Sequence, residues 1–420
     1  MHFLKLTGSS LLALTLALTG LGAERFRTDI NPALRYYQAF TEVPDLSEAD
    51  HQYLFTSEWR SQHLDPKFGV LVTKYDNMFK FLRQARHAQV NCDWGIDLTE
   101  GPDALLPGLA RAKAAAQTAR LRTMWHLQNG RPTEAHDDLL AVFALGRNVS
   151  RDGVLVSALV QIAIENIVLA IVAENFYRFT PQTLKQLVDG FDASPVRGTI
   201  AQCIAVEKYS FHDWLLRKVD DLQKENPGKD GKVLEQLRVL FGRVGGNEGN
   251  DADFAEKVIK AAGGTSDGVI RLIRELEPFY QQVSVIIVLP YGEFVPQMKT
   301  FSAKVQKHSN PLVPKFFMLF EKCRQREFAS LVRLELVRAA VAFKLHGEEG
   351  LERVNDPCGS GPFAYRRFVF EGLDRGFELK SAYKGRDYDE ALIFVEKDGP
   401  LFRLDGKNAG QPLPIPAADK

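Results

Sequence analysis

The sequence has only four cysteines among 420 residues, and they lie far apart. Cys92, Cys203, Cys323 and Cys358 form no Cys-x-x-Cys pair, which excludes zinc-finger spacing and the dense disulfide framework of small secreted domains. Four cysteines allow three full pairings. The spacing does not decide between disulfides and buried free thiols, so the pairing stays open at this level.

Short catalytic and cofactor motifs are also missing. The chain contains no HExxH, no GxSxG, no GxxxxGK[ST] and no GxGxxG after a strand. The polar, glycine-rich stretch 242–254 does not reproduce an EF-hand loop. We therefore expect no metal and no cofactor, and we assign no catalytic residue. The evidence for a nucleophilic Cys-His pair of His87 and Cys92 is weak, because the fold, and not closeness in sequence, brings such partners together.

Charge of either sign is not in excess. Lys plus Arg and Asp plus Glu both number 53, in a chain that is 45% hydrophobic and 25% charged. A protein that binds nucleic acid normally carries a basic face, so we expect no nucleic-acid partner. The composition is that of a globular chain long enough for more than one core.

The N-terminus has the layout of a secretory signal peptide. Lys5 precedes an apolar run over residues 11–21, and Ala23 is a small residue in front of the charged Glu24. The run is shorter than the roughly 18 residues that favour a membrane-spanning helix. We expect residues 1–23 to be removed and the mature chain to be exported, to the periplasm or beyond the cell.

Most of the mature chain has a helical period. Residues 103–130 and 131–149 predict two helices that form an antiparallel hairpin, with Gly130 between them. This unit resembles one tetratricopeptide-type repeat, but no second copy follows at that period. The apolar stripe of the first helix consists of Leu105, Leu109, Ala112, Ala116, Leu121, Met124 and Trp125.

Residues 153–179 form the most apolar stretch after the N-terminus, yet carboxylates inside it argue against a membrane span in the mature chain. Ser157, Gln161 and Glu165 are spaced by four and share one helix face. One interpretation is a polar strip that lines a binding groove, with Glu165 as a general base or ligand contact. The other is the solvent-facing stripe of an otherwise buried helix.

The pattern divides the mature chain into a helical domain over 24–220, a polar, glycine-rich loop region over 221–252, and a second helical segment over 253–350 that packs on the first. Alternating residues then predict a small antiparallel β element over 351–408, followed by a flexible tail over 409–420. The fold class is mainly α, as a multi-helical bundle or an irregular helical-hairpin array.

The stretch "NDPCGSGPFAYRR", residues 355–367, joins the last long helix to the first strand. Its prolines and glycines favour a chain reversal, so we interpret it as an architectural joint that docks the hairpin on the helices. Cys358 is then a turn residue. If Gly361 holds a positive φ, a β-branched residue there loosens the hairpin.

Several segments resemble an uncharacterised family of exported bacterial helical proteins. They are "CDWGID" at residues 92–97, the "LLPGLARAKAAAQTARLR" that follows, the helix "VRLELVRAAVAFKLHGEEG", and the segment that starts "DPCGSGPFAYRR". The family's closure, Asp-Pro-x-x-Gly-x-Pro-x-x-Tyr-Arg, is matched by Asp356, Pro357, Gly359 or Gly361, Pro362, Tyr365 and Arg366. The family's Tyr-Pro segment before the closure is absent here. The resemblance implies a helical body with a short β-hairpin and transfers no activity.

Two classes of function remain after these exclusions. The first is a noncatalytic scaffold or binding protein of the cell envelope, which holds a protein or peptide in a groove between helices, as helical-hairpin arrays do. The second is an envelope hydrolase or lyase whose acid and base residues are assembled only in the fold. A buried cluster of carboxylate, histidine and arginine in one pocket favours the enzyme.

The first prediction concerns export. Because the apolar run ends in small residues before Glu24, we expect protein recovered from the cell envelope to begin at Glu24. N-terminal sequencing of that fraction measures this directly. A chain that still begins at Met1 there would contradict cleavage.

Overall fold

The computed structural model describes residues 27–56, 59, 63–245, 252–385, 389–399, 402–404, 406 and 409–412. The expected signal peptide lies outside these described residues, as do positions 246–251 of the glycine-rich stretch and positions 413–420 of the C-terminal tail.

The described chain is mainly α, with 67% of it helical, and ends in a small antiparallel sheet. This fold class was predicted from the sequence and is confirmed. The helices are α1 (Pro32–Thr41), α2 (Glu48–Phe55), α3 (Pro66–Thr73), α4 (Asp76–Arg86), α5 (Leu109–Gln128), α6 (Pro132–Val149), α7 (Leu155–Glu174), α8 (Pro181–Asp192), α9 (Ile200–Glu207), α10 (Trp214–Glu225), α11 (Asp230–Gly245), α12 (Ala252–Ala261), α13 (Ser266–Arg274), α14 (Glu277–Ile287), α15 (Tyr291–Gln306), α16 (Leu312–His346) and α17 (Glu348–Glu352). Leu98–Asp103 and Ser150–Asp152 are 3₁₀ turns, and Lys208–Asp213 is a π-helical turn between α9 and α10.

Side-chain caps fix many of the helix starts. Asp65 accepts a hydrogen bond from the amide of Phe68, and Thr180 accepts one from the amide of Thr183. Thr199 and Gln202 form a reciprocal capping box at the start of α9. Each cap satisfies backbone N–H groups that have no partner within the first turn of the helix.

Helices α5 and α6 pack against one another across a turn at Gly130, which has a φ of 67°. The predicted hairpin is therefore present. Leu105 is an exception in the predicted stripe, because it lies before the helix and is 83% exposed. Pro107 restrains the residue before it, so the helix begins only at Leu109.

One continuous cluster of buried apolar side chains runs from Ala33 in α1 to Phe394 near the C-terminus. Helix α7 lies within it and packs against α5, α6 and α16. Among the described helices, α7 alone is long and apolar enough to cross a membrane, and 61% of that window is buried inside the protein.

The prediction of a loop region over 221–252 is wrong for most of its length. Residues 230–245 form α11, in which Val233, Leu237 and Phe241 are buried. Their spacing of four places them on one side of the helix, and the polar residues between them face solvent. The many charged and glycine residues around this stripe concealed the helical period.

The C-terminal sheet has three antiparallel strands in the order β1 (Ala364–Phe370), β2 (Leu373–Lys384) and β3 (Asp389–Val395). Glu371 and Gly372, with φ of 51° and 75°, form the two-residue turn between β1 and β2. On the side that faces the helices, Phe377 and Phe394 pack against Phe176, which follows α7, with ring centroids 5.8 and 5.3 Å away.

The chain reverses after β3 and returns beside it, where the amide of Ile393 donates to the carbonyl of Leu404. Phe402 packs against Phe368 and Phe370 in a second, small apolar cluster on the other side of the sheet. Phe402 also pairs with Pro412 in a β-bridge. Residues 409–412 are therefore held by the sheet, and the expectation of a flexible tail is wrong for them.

The joint between α17 and β1 is organised by the buried carboxylate of Asp356, which is 5% exposed. It accepts hydrogen bonds from the amide of Cys358 at 2.9 Å, from the hydroxyl of Ser381 at 2.8 Å and from the amide of Ala382 at 2.6 Å. A single side chain thus closes its own turn and ties that turn to β2. This geometry supports the interpretation of an architectural joint.

Gly361 does not have a positive φ, and a Cβ atom placed on it meets no atom within 4 Å. We therefore no longer expect a β-branched residue at Gly361 to loosen the hairpin, because that expectation required a positive φ. Gly359 is the crowded glycine of the joint, because a Cβ there lies 3.1 Å from the carboxylate of Asp356 and 3.3 Å from Ala382.

We expect Asp356→Ala to lower the free energy of unfolding by roughly 3 kcal/mol, because it leaves two amides and a hydroxyl without their charged acceptor. Gly361→Val and Cys358→Ser serve as neighbouring controls and should change stability by less than about 0.5 kcal/mol. Urea denaturation measures all three variants. A Gly361→Val variant as damaged as Asp356→Ala would show that the turn, and not the carboxylate, holds the joint.

Candidate functional site

Ser157, Gln161 and Glu165 lie on one face of α7, but this face is inside the protein. Ser157 and Gln161 are fully buried and Glu165 is 3% exposed. The interpretation as a solvent-facing stripe is wrong, because the segment between α8 and α9 and helix α16 cover this face. The three side chains offer no surface to a ligand in this conformation.

Ser157 and Gln161 have partners within the protein. The hydroxyl of Ser157 donates to Asp152 at 2.7 Å. The amide group of Gln161 donates to the carbonyl of Gly198 at 3.2 Å and accepts from its N–H at 3.0 Å. A Cβ on Gly198 would lie 2.4 Å from the hydroxyl oxygen of Ser150, so glycine lets the loop approach α7 this closely.

Glu165 is held by donors from three different parts of the chain. Nε of Arg147, on α6, donates to Oε1 at 2.5 Å, and Nε of Arg197, in the loop before α9, donates to Oε2 at 2.9 Å. The hydroxyl of Ser330, on α16, donates to Oε2 at 3.2 Å. Burial lowers the pKa of Arg147, and the charge of Glu165 opposes that effect.

Arg197 extends this arrangement to a second buried carboxylate, Glu327. Its Nη1 lies 3.4 Å from Oε1 of Glu327, which also accepts the first amide of α9, from Ile200, at 3.1 Å. Arg324 donates to the other oxygen. We call this set the Glu165–Glu327 network; its members are Glu165, Glu327, Arg147, Arg197 and Arg324.

A second buried polar cluster brings together a carboxylate, a histidine and arginines. Asp138 on α6 is fully buried. It accepts hydrogen bonds from Arg83 and from Nε of Arg122 at 2.7 Å, and Nε2 of His126 lies 3.4 Å away. These are the residue types that acid–base catalysis uses.

The surroundings of Asp138 nevertheless oppose catalysis by this cluster. Burial by itself would raise the pKa of Asp138, but the contact with His126 and the charges of Arg122 and Arg83 hold it below the usual range. A carboxylate with a lowered pKa is a weak base, and this one has no exposed surface. The cluster binds α4, α5 and α6 together.

The thiols are also poorly suited to nucleophilic chemistry. All four cysteines are free, and burial raises the pKa of both Cys92 and Cys358 to about 12. A catalytic cysteine needs a lowered pKa, which argues against the His87–Cys92 pair. Among the described residues, no group of three or more His, Cys, Asp or Glu side chains is placed to hold a metal ion.

An open cavity of about 580 Å³ lies on the C-terminal sheet. Successive residues of a strand point to opposite faces of the sheet. The cavity lies on the face opposite Phe377 and Phe394. We call it the outer sheet face. Its charged and small lining residues are Arg366, Glu378, Lys380, Asp389, Ala364 and Ala391.

The charged residues of the outer sheet face form ion pairs across the strands. Arg366 donates to Glu378, which raises the pKa of the guanidinium. Lys380 and Lys384 both contact Oδ2 of Asp389, at 2.8 and 2.9 Å, and their hydrogen bonds lower the pKa of that carboxyl. The raised pKa of Arg366 and the lowered pKa of Asp389 both favour the charged form, which suits binding by charge and not proton transfer.

Sequence reasoning placed Arg366 only in the closure motif and did not single out Glu378, Lys380 or Asp389. The turn at Glu371 and Gly372 was the available signal, but its register alone would place Arg366 opposite Phe377. A register shift between Phe368 and Val369 places Arg366 opposite Glu378 instead.

We expect Glu165→Gln to lower the free energy of unfolding by about 3–5 kcal/mol, because it leaves two buried guanidinium groups short of one counter-charge. If Glu165 belonged to a solvent-facing stripe, the same change would instead leave the fold intact. Chemical denaturation monitored by circular dichroism measures the change.

Glu349→Gln is the matched control, since Glu349 pairs with Arg353 through a side chain that is 77% exposed. Its stability should change by less than about 0.5 kcal/mol. Equal, small effects of the two variants would show that Glu165 does not hold the helices together.

Comparisons with known proteins give no relative for this chain. No family model, no curated protein and no solved structure matches it.

Proposed function

We propose that this chain is a noncatalytic binding protein of the cell envelope. The helical body acts as the scaffold, and the outer sheet face is the binding surface for a protein or peptide. The observation that carries this proposal is the placement of charge. The described acid–base clusters at Glu165 and Asp138 are sealed, whereas exposed charged side chains line an open cavity on the sheet.

The sheet is fixed on both sides, which supports its use as a preformed surface. Phe343 of α16 packs against Phe377 with centroids 5.0 Å apart on the inner side. Phe402 packs against Phe368 at 4.7 Å on the other side. A surface held rigidly before binding loses less conformational entropy when a partner arrives.

The alternative, an envelope hydrolase or lyase, draws its best support from Asp138, His126 and Arg122. Catalysis requires that such groups reach a substrate. Asp138 is fully buried and His126 is 4% exposed, so binding is the better-supported function.

A site-specific photo-crosslink tests the binding function. A photo-reactive p-benzoylphenylalanine in place of Ala364, an exposed residue at the cavity, should form a discrete adduct of higher mass in cells that produce the protein. The same residue in place of Ala261, an exposed alanine at the end of α12, is the control. Absence of an adduct at Ala364, or the same adduct at both positions, would contradict binding at the outer sheet face.

A further inference from the structure

The charge that the outer sheet face presents to solvent is positive. In the Arg366–Glu378 pair the arginine side chain is 70% exposed and the glutamate side chain 7%. In the second pair Lys380 is 45% exposed and Asp389 is 34% exposed. The carboxylates therefore lie lower in the cavity, and the cationic ends stand above them.

Each of these cations has more donors than its described carboxylate partner takes up. Arg366 uses Nε for Glu378, and a guanidinium carries four other N–H bonds. Lys380 has three donors and contacts Asp389 with its ammonium group. Among the described lining residues, the cation is the more exposed partner in both ion pairs.

The spacing of the two cavity cations is set by the register of the sheet. Lys380 lies opposite Ala364, and Arg366 lies opposite Glu378, so the two cations are diagonal neighbours on adjacent strands. Diagonal neighbours stand about 7–8 Å apart. In an extended peptide, side chains two residues apart are separated by about 6.6–6.8 Å and point to the same side.

We propose that the outer sheet face binds an extended acidic peptide segment with carboxylates at alternate positions, one on Arg366 and one on Lys380. This inference rests on the proposed binding function and names its ligand class. Small neighbours, Ala364 and Ala391, leave room for the backbone between the two charges. The exposed cationic ends of Arg366 and Lys380 favour an acidic segment over a neutral or basic one.

The test uses three peptides of equal length. Acetyl-Thr-Glu-Val-Glu-Thr-amide has alternating glutamates, acetyl-Thr-Glu-Glu-Val-Thr-amide is its isomer with adjacent glutamates, and acetyl-Thr-Lys-Val-Lys-Thr-amide replaces both glutamates by lysine. Isothermal titration calorimetry on the mature protein measures binding. The alternating acidic peptide should bind about two- to fivefold tighter than its isomer, as expected for one additional exposed ion pair, and the basic peptide should not bind. Affinity should fall as salt is raised.

Arg366→Gln and Lys380→Gln should each weaken the alternating peptide about two- to fivefold. Lys224→Gln is the matched control, because Lys224 forms an exposed ion pair with Asp220 on α10 and does not line the cavity, and it should leave binding unchanged. A melt of each variant shows that the fold is intact. Equal affinity for the two acidic isomers, or no binding of either, overturns the ligand class.

The two proposals fail in different ways. If the acidic peptides do not bind but the photo-crosslink at Ala364 forms, the binding surface stands and the peptide class is wrong. If the crosslink is also absent, both proposals fall.

Discussion

The buried carboxylate of Glu165 connects three separate parts of the helical body. It lies inside the core and accepts hydrogen bonds from α6, from the loop before α9 and from α16. A carboxylate removed from water is costly unless donors replace its hydration, and here Arg147 and Arg197 supply both hydrogen bonds and charge. Arg197 then links it to Glu327, which holds the first amide of α9. Segments far apart in the chain are thereby fixed against one another.

The buried carboxylates of Glu165 and Asp138 are paired with fixed donors and closed off from solvent. Asp138 with His126 and Arg122 repeats the arrangement between α4, α5 and α6. Buried pairs of this kind contribute little net stability over apolar packing, yet breaking one is expensive, so they favour one particular assembly of helices.

The C-terminal sheet is attached by other means. The rings of Phe176, just after α7, and of Phe343 on α16 pack on its inner face, and Asp356 ties the entering chain to β2. On the outer side of the sheet, Phe402 covers the apolar residues Phe368 and Phe370. The rest of that side carries the exposed charges of the outer sheet face. A rigid support beneath and an open, charged cavity above are the features that a binding surface needs.

The sequence by itself determined the helical class, the hairpin around Gly130 and the joint before β1, because periodicity, capping and turn residues are local properties. It failed at α11, where a narrow apolar stripe lay among polar residues, and at Leu105, where a proline delayed the helix. The burial of Glu165 was decided only by tertiary structure. Its partners Arg147, Arg197 and Ser330 stand 18, 32 and 165 residues away, and no local pattern records such contacts. The pairing of Arg366 with Glu378 likewise depends on the register shift between Phe368 and Val369, which the β1–β2 turn does not set.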